Sequence, residues 1–184
     1  DGDAREVAND ALNYAEAAIE NDPLLVEAHL QAAIALAQRG ARMAPWRAFF
    51  MKLAQRARSS LDLALEMDPK NPWALSSSAA WHLEVSRRGG EGRFGSDPEL
   101  GHRQFIAALE ADPDNLVIAY EYALRLLAYD RADWRAEGLQ MLQRAIDASP
   151  DNAFAEAVQL RAKTFNQAII AGRAAERDFI ESQP

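Results

Sequence analysis

A chain of 184 residues, 49% of them hydrophobic, is long enough for one core or one compact array and too apolar to stay unfolded as a whole. Its 20 Lys and Arg against 28 Asp and Glu leave a net charge of −8, which opposes generic nucleic-acid binding because phosphate contacts need clustered cations. The absence of cysteine excludes disulfides, thiolate metal sites and cysteine nucleophiles.

Taken in chain order, apolar residues recur at spacings of three and four, as in Phe105, Ile106 and Leu109 or Leu139, Leu142 and Ile146. That is helical periodicity and not the alternation of a strand. The pattern predicts helices over about 3–21, 24–39, 45–67, 72–88, 98–111, 115–129, 133–148 and 152–171, with a last piece to about 182. No run approaches the ~18 apolar residues of a membrane span, and the start lacks the order of a signal peptide. The chain therefore reads as soluble, with cytoplasm and periplasm both open; the first residue, Asp1, fits either a processed chain or a trimmed one.

Asp22-Pro23, Asp68-Pro69, Asp112-Pro113 and Ser149-Pro150 each close an apolar-periodic segment, the prolines falling 46, 44 and 37 residues apart. A proline cannot continue the preceding helix, since it lacks an N–H and biases the residue before it away from helical angles. Asn71, Asn115 and Asn152 follow two residues later, placed to cap the next helix. Five residues before the prolines stand Ala18, Ala64, Ala108 and Ala145, and seven before those stand Ala11, Ala57, Gly101 and Gly138. Ala33, Ala79 and Ala123 lie ten residues after the first three prolines. Small residues two turns apart on one face let a neighbouring helix pack close.

This combination of helix pairs, small residues at crossing points and Asp-Pro-x-Asn junctions resembles the tetratricopeptide repeat family over nearly the whole chain. Its units are longer than the family's period of about 34 residues, and Leu160 stands where the last first-helix would carry a small residue. The resemblance implies an all-α fold, a right-handed α-α superhelix of antiparallel helix pairs. It reads as a single domain over 1–184 with about four pairs, a flexible Gly-rich insertion at 89–97 and a C-terminal capping helix.

In such a stack the first helix of each pair lines a concave groove. That places Leu30, Ile34, Trp73, Ser77, Ala80, Val117, Tyr120, Glu121, Leu124, Phe154, Val158 and Arg161 there. The set is mostly apolar and aromatic and lacks the Lys, Arg and Asn cluster of the carboxylate-clamp members, so it suits an apolar or amphipathic peptide segment of a partner protein. The opposing reading buries the same residues inside a tight superhelix or under the terminal helix folded back.

Residues 28–61 hold no Asp or Glu, yet carry Arg39, Arg42, Arg47, Lys52, Arg56 and Arg58 beside Trp46, Phe49 and Phe50. This is a possible secondary surface for an acidic partner, an anionic membrane or a second copy, and equally an ordinary repeat helix with solvated arginines. Arg93 and Phe94, in the insertion, complete the candidate surface. The histidines, His29, His82 and His102, fall on three different helices without ligand-like spacing, so no metal is expected. No nucleophile motif or nucleotide loop is present either, and the expectation is a non-catalytic interaction scaffold without cofactors. Two other classes stay open: a small-molecule or lipid-binding accessory protein with an apolar cavity, and a self-assembling structural module.

Overall fold

The computed structural model describes residues 2–41, 43 and 52–183, and among them there are helices and no strand. The helices are α1 (Gly2–Asn21), α2 (Val26–Ala41), α3 (Leu53–Met67), α4 (Pro72–Gly89), α5 (Pro98–Ala111), α6 (Leu116–Tyr129), α7 (Ala132–Asp147), α8 (Ala153–Ala171) and α9 (Arg173–Glu181), with a 3-10 turn at Arg93–Gly95. Residues 45–51 of the expected helix, with Trp46, Arg47 and Phe50, lie outside the described residues, as does Arg42. No described helix is long and apolar enough to cross a membrane.

The junctions form for the reasons their sequence suggests. Asp68 N–H bonds back to the Ala64 carbonyl at 2.9 Å, closing α3, while its carboxylate accepts from the Asn71 amide at 3.3 Å. The Asn71 side-chain oxygen then accepts from the backbone N–H groups of Trp73 and Ala74, both at 3.1 Å, and opens α4. Asp112 and Asn115 repeat this arrangement between α5 and α6. Asn152 caps α8 through the Ala155 N–H at 2.9 Å. Each junction thus satisfies the free carbonyl end of one helix and the free amide end of the next within a few residues.

Along the chain α2 packs on α3, α4 on α5 and α6 on α7, and α1 packs on α2. The first helices of these units also meet one another, α4 lying along α6 and α6 along α8. Two cores result. One joins Leu12, Leu30, Leu36, Leu53, Leu61 and Trp81; the other is centred on Leu83, Phe105, Tyr122, Leu126, Leu142 and Phe165.

The close crossings sit at the small residues. A Cβ on Gly101 would stand 2.9 Å from the Ala79 carbonyl oxygen and 3.0 Å from the His82 Cβ, and one on Gly138 would stand 3.0 Å from Leu127 Cγ. Ala64, Ala108 and Ala145 are fully buried. Replacing Gly101 or Gly138 by Leu is expected to cost about 1–3 kcal/mol each through overpacking. The check is a urea midpoint that falls while the slope of the transition is unchanged.

Candidate interaction surface

On helices α4, α6 and α8 the Asn caps set a common register. Trp73, Val117 and Phe154 each stand two residues after a cap, so all three project from first turns of neighbouring helices. Trp73 is 39% and Phe154 63% exposed, with Val117 half-buried between them in sequence order. One turn on, Ser77 and Glu121 are half-buried, and Arg161 is exposed on α8. Ile34, on α2, is half-buried against the N-terminal core.

Four residues expected in the groove are not on the surface: Leu30, Tyr120, Leu124 and Val158 are buried. A helix touched by neighbours on several sides buries more than one stripe, and α6 packs against α4, α5, α7, α8 and α9. Burial pushes the Tyr120 phenol above its ordinary pKa, and the neighbouring Glu121 charge adds to this, against the opposing charges of Arg161 and Arg125. Its buried hydroxyl makes no hydrogen bond to another protein group. Tyr120→Phe removes that hydroxyl and is expected to leave thermal stability unchanged or raised, since an unpaired buried polar group carries a desolvation cost.

The late turns of α4 and α6 carry a charged cluster. Glu84 accepts from Arg87 at 2.9 and 3.1 Å and from Arg125 at 3.5 Å, with Arg88 also in contact, and Arg125 reaches Glu121 at 3.1 Å. Burial opposes ionisation of Glu84, but the Arg87 hydrogen bond and the charges of Arg125, Arg87 and Arg88 outweigh it and bring its pKa down to about 2.

Helix α9 folds back over this end. The turn at Gly172, with φ of 117°, releases it from α8. Buried Glu176 accepts from both Arg135 guanidinium nitrogens at 2.7 and 3.1 Å, Phe179 stacks on Phe165 with ring centres 4.6 Å apart, and Arg87 donates to Glu181 at 2.9 Å. Helix α9 therefore reaches Arg87 near the end of α4 and Phe165 of α8, while Trp73 and Phe154 stay exposed.

The Gly-rich insertion makes hydrogen bonds within itself and to three helices. Gly92 N–H bonds to the Ser96 carbonyl, Arg58 donates to the Gly95 carbonyl, and Tyr129 donates to Glu91 at 2.8 Å. Asp97 N–H donates to His82 Nδ1 at 3.0 Å, which fixes this nitrogen as the acceptor of a neutral imidazole. Gly90, Gly92 and Gly95 take positive φ, so the glycines serve the turn's shape. Arg93 lies over the Phe94 ring at 5.1 Å and Phe94 packs against the N-terminal core.

Burial, reinforced by the Arg58 charge and opposed by Asp97 and Asp62, lowers the His82 pKa to about 4. His102 meets Glu137 at 2.9 Å and stacks on Trp134, and Tyr122 donates to the same Glu137. Among the described residues no three His, Asp or Glu side chains gather as a metal site would require.

No family model matches the chain, and neither a curated protein nor a solved structure matches it.

Two acid windows follow from the shifted groups. The unfolded chain protonates His82 near pH 6.5 while the native state resists until about 4, so stability falls with pH across that interval. Glu84, held ionised to about 2, is lost to protonation between about 4.5 and 2. Denaturation followed against pH is expected to lose the first slope in His82→Asn and the second in Glu84→Gln.

Proposed function

We propose that this protein is a non-catalytic interaction scaffold of the tetratricopeptide type, a right-handed superhelix of helix pairs whose inner face captures an apolar or amphipathic segment of a partner protein. The observation that carries the reading is the exposure of Trp73 and Phe154 at one repeated position, two residues past an Asn cap, on helices flanking α6. Exposed aromatics held by rigid helices lose little conformational entropy on binding and are the residue types that dominate interface energies. Val117 supplies the apolar floor between them, while Ser77, Glu121 and Arg161 supply polar groups one turn and more along. An amphipathic helix laid across these turns would meet aromatic anchors first and charged groups at its margin.

The neighbour-to-neighbour packing of α2 through α8 and the repeated Asp-Pro-x-Asn junctions support the repeat reading. Such arrays keep one surface free because each unit takes its stability from the next.

The double substitution Trp73→Ala with Phe154→Ala is the test. Both side chains are exposed, so the folded state is expected to lose no more than about 1 kcal/mol for the pair, with an unchanged circular dichroism spectrum. Affinity capture from a lysate of the source cells, with bound proteins identified by mass spectrometry, is expected to lose a specific protein in the double variant. Identical capture by both proteins would overturn the assignment of this surface.

A further inference from the structure

Between α5 and α7 the space over α6 is filled by the chain itself. Tyr122 of α6 stacks on Phe105 of α5 with ring centres 4.8 Å apart, and its hydroxyl donates to Glu137 of α7. Counted from the junction prolines, the same places around α2 hold alanine: Ala15 stands on α1 where α5 has Phe105, and Ala32 on α2 where α6 has Tyr122. On α3, Arg56 takes the place of Glu137 and Ser60 that of Met141. Two rings and a thioether side chain are therefore absent from the space between α1 and α3, and a donor stands where α7 has an acceptor.

A cavity of about 340 Å³ lies in that space, within the roughly 300–1,000 Å³ of small-molecule sites. Ile19, Ala32 and Leu36, buried or half-buried, form its apolar wall, and Lys52, Arg56 and Ser60 its polar one. Arg56 on α3 donates to Glu16 on α1 at 2.6 Å, which compensates one charge of the lining. Lys52 is exposed, and among the described residues its ammonium has no ion partner and no hydrogen bond. Its backbone is left-handed, with φ of 52°, a conformation that costs a non-glycine residue, and its side chain does not cap α3. Two cations against one acid leave the lining one positive charge, in a chain whose net charge is −8.

We propose that this cavity binds a small monocarboxylate with a ring-sized apolar body, of the arylacetate class, its carboxylate meeting Lys52 and Arg56 and its ring lying against Ile19, Ala32 and Leu36. The ligand supplies what Tyr122 supplies over α6, a ring with a polar head aimed at the following helix. The polarity of the head is reversed to suit the cations that replace Glu137. One carboxylate matches the one uncompensated charge of the lining, whereas a cationic head would meet Lys52 and Arg56 as like charges. The apolar wall holds the body, and the few polar groups at its edge fix the orientation, which is the usual division of labour in a small-molecule site. None of the lining belongs to α4, α6 or α8, so the site stands apart from Trp73 and Phe154.

Titration with phenylacetate, followed through backbone amide chemical shifts, is the test, with phenethylamine beside it as a similar ring on a cationic head. Phenylacetate is expected to saturate a single site and to move the amides of Ile19, Leu36 and Gln55 most, while phenethylamine gives no saturable change. Lys52→Glu, at an exposed position, is expected to weaken phenylacetate about tenfold or more, since a charge-assisted hydrogen bond is lost. Ser60→Met, which installs the side chain that α7 carries at the matching place, is expected to weaken it as well by taking up the volume. Circular dichroism checks that both variants keep their helix content. Trp73→Ala is expected to bind phenylacetate as the wild type does, which separates this site from the partner-binding surface. The proposal is overturned by the absence of saturable binding, by equal binding of phenethylamine, or by undiminished binding in either variant.

Discussion

Two helices can lie nearly in contact along their axes only where one of them carries no side chain to hold the other off. In this chain Gly101 and Gly138 provide those places, each seated against a leucine and, at Gly101, against a backbone carbonyl. What lies around the crossings depends on that closeness. The approach of α5 to α4 brings Asp97, the cap of α5, within hydrogen-bonding distance of His82 and so fixes one end of the Gly-rich turn. The approach of α7 to α6 brings Glu137 to both Tyr122 and His102, so that a half-buried carboxylate is shared between three helices. A larger side chain at either glycine would displace these polar pairings together with the apolar contacts, since interiors packed at crystal-like density transmit such shifts.

The sequence carries the parts of the fold that local chemistry decides. A proline after a helix, an asparagine two residues later and a small residue two turns back act over a few bonds or through simple steric exclusion, and the helix boundaries they imply differ from those observed by a few residues over the described parts. The distribution of residues between surface and core was less legible. Tyr120 and Leu124 have the spacing of an open stripe, but α6 lies among five neighbours, and periodicity within one helix does not say how many sides are covered. Trp73 and Phe154 escape this ambiguity because a first turn projects past its neighbours.

Interactions across long stretches of sequence left no readable signal. Glu84 has two arginines nearby in sequence, Arg87 and Arg88, yet its pairing with Arg125 depends on α4 and α6 lying side by side. The four glycines between 89 and 95 have the composition of a mobile loop; Arg58, His82 and Tyr129, which hold the segment, come from α3, α4 and α6. The amphipathic residues of α9 are evident, but its destination is set by Arg135 and Phe165, which no local pattern marks as its partners.

The path of α9 also ties distant helices together. Units that contact only their neighbours unravel from either end, one at a time. Here the last helix reaches back to Arg87 in α4, so the segment from α4 to α9 is closed by its own tail into a ring of contacts. Trp81 belongs to the other core and anchors on the Ala54 carbonyl of α3 at 2.9 Å, leaving α4 as the wall common to both halves. The two cores therefore do not come apart independently, since loosening either one disturbs the helix on which both rest.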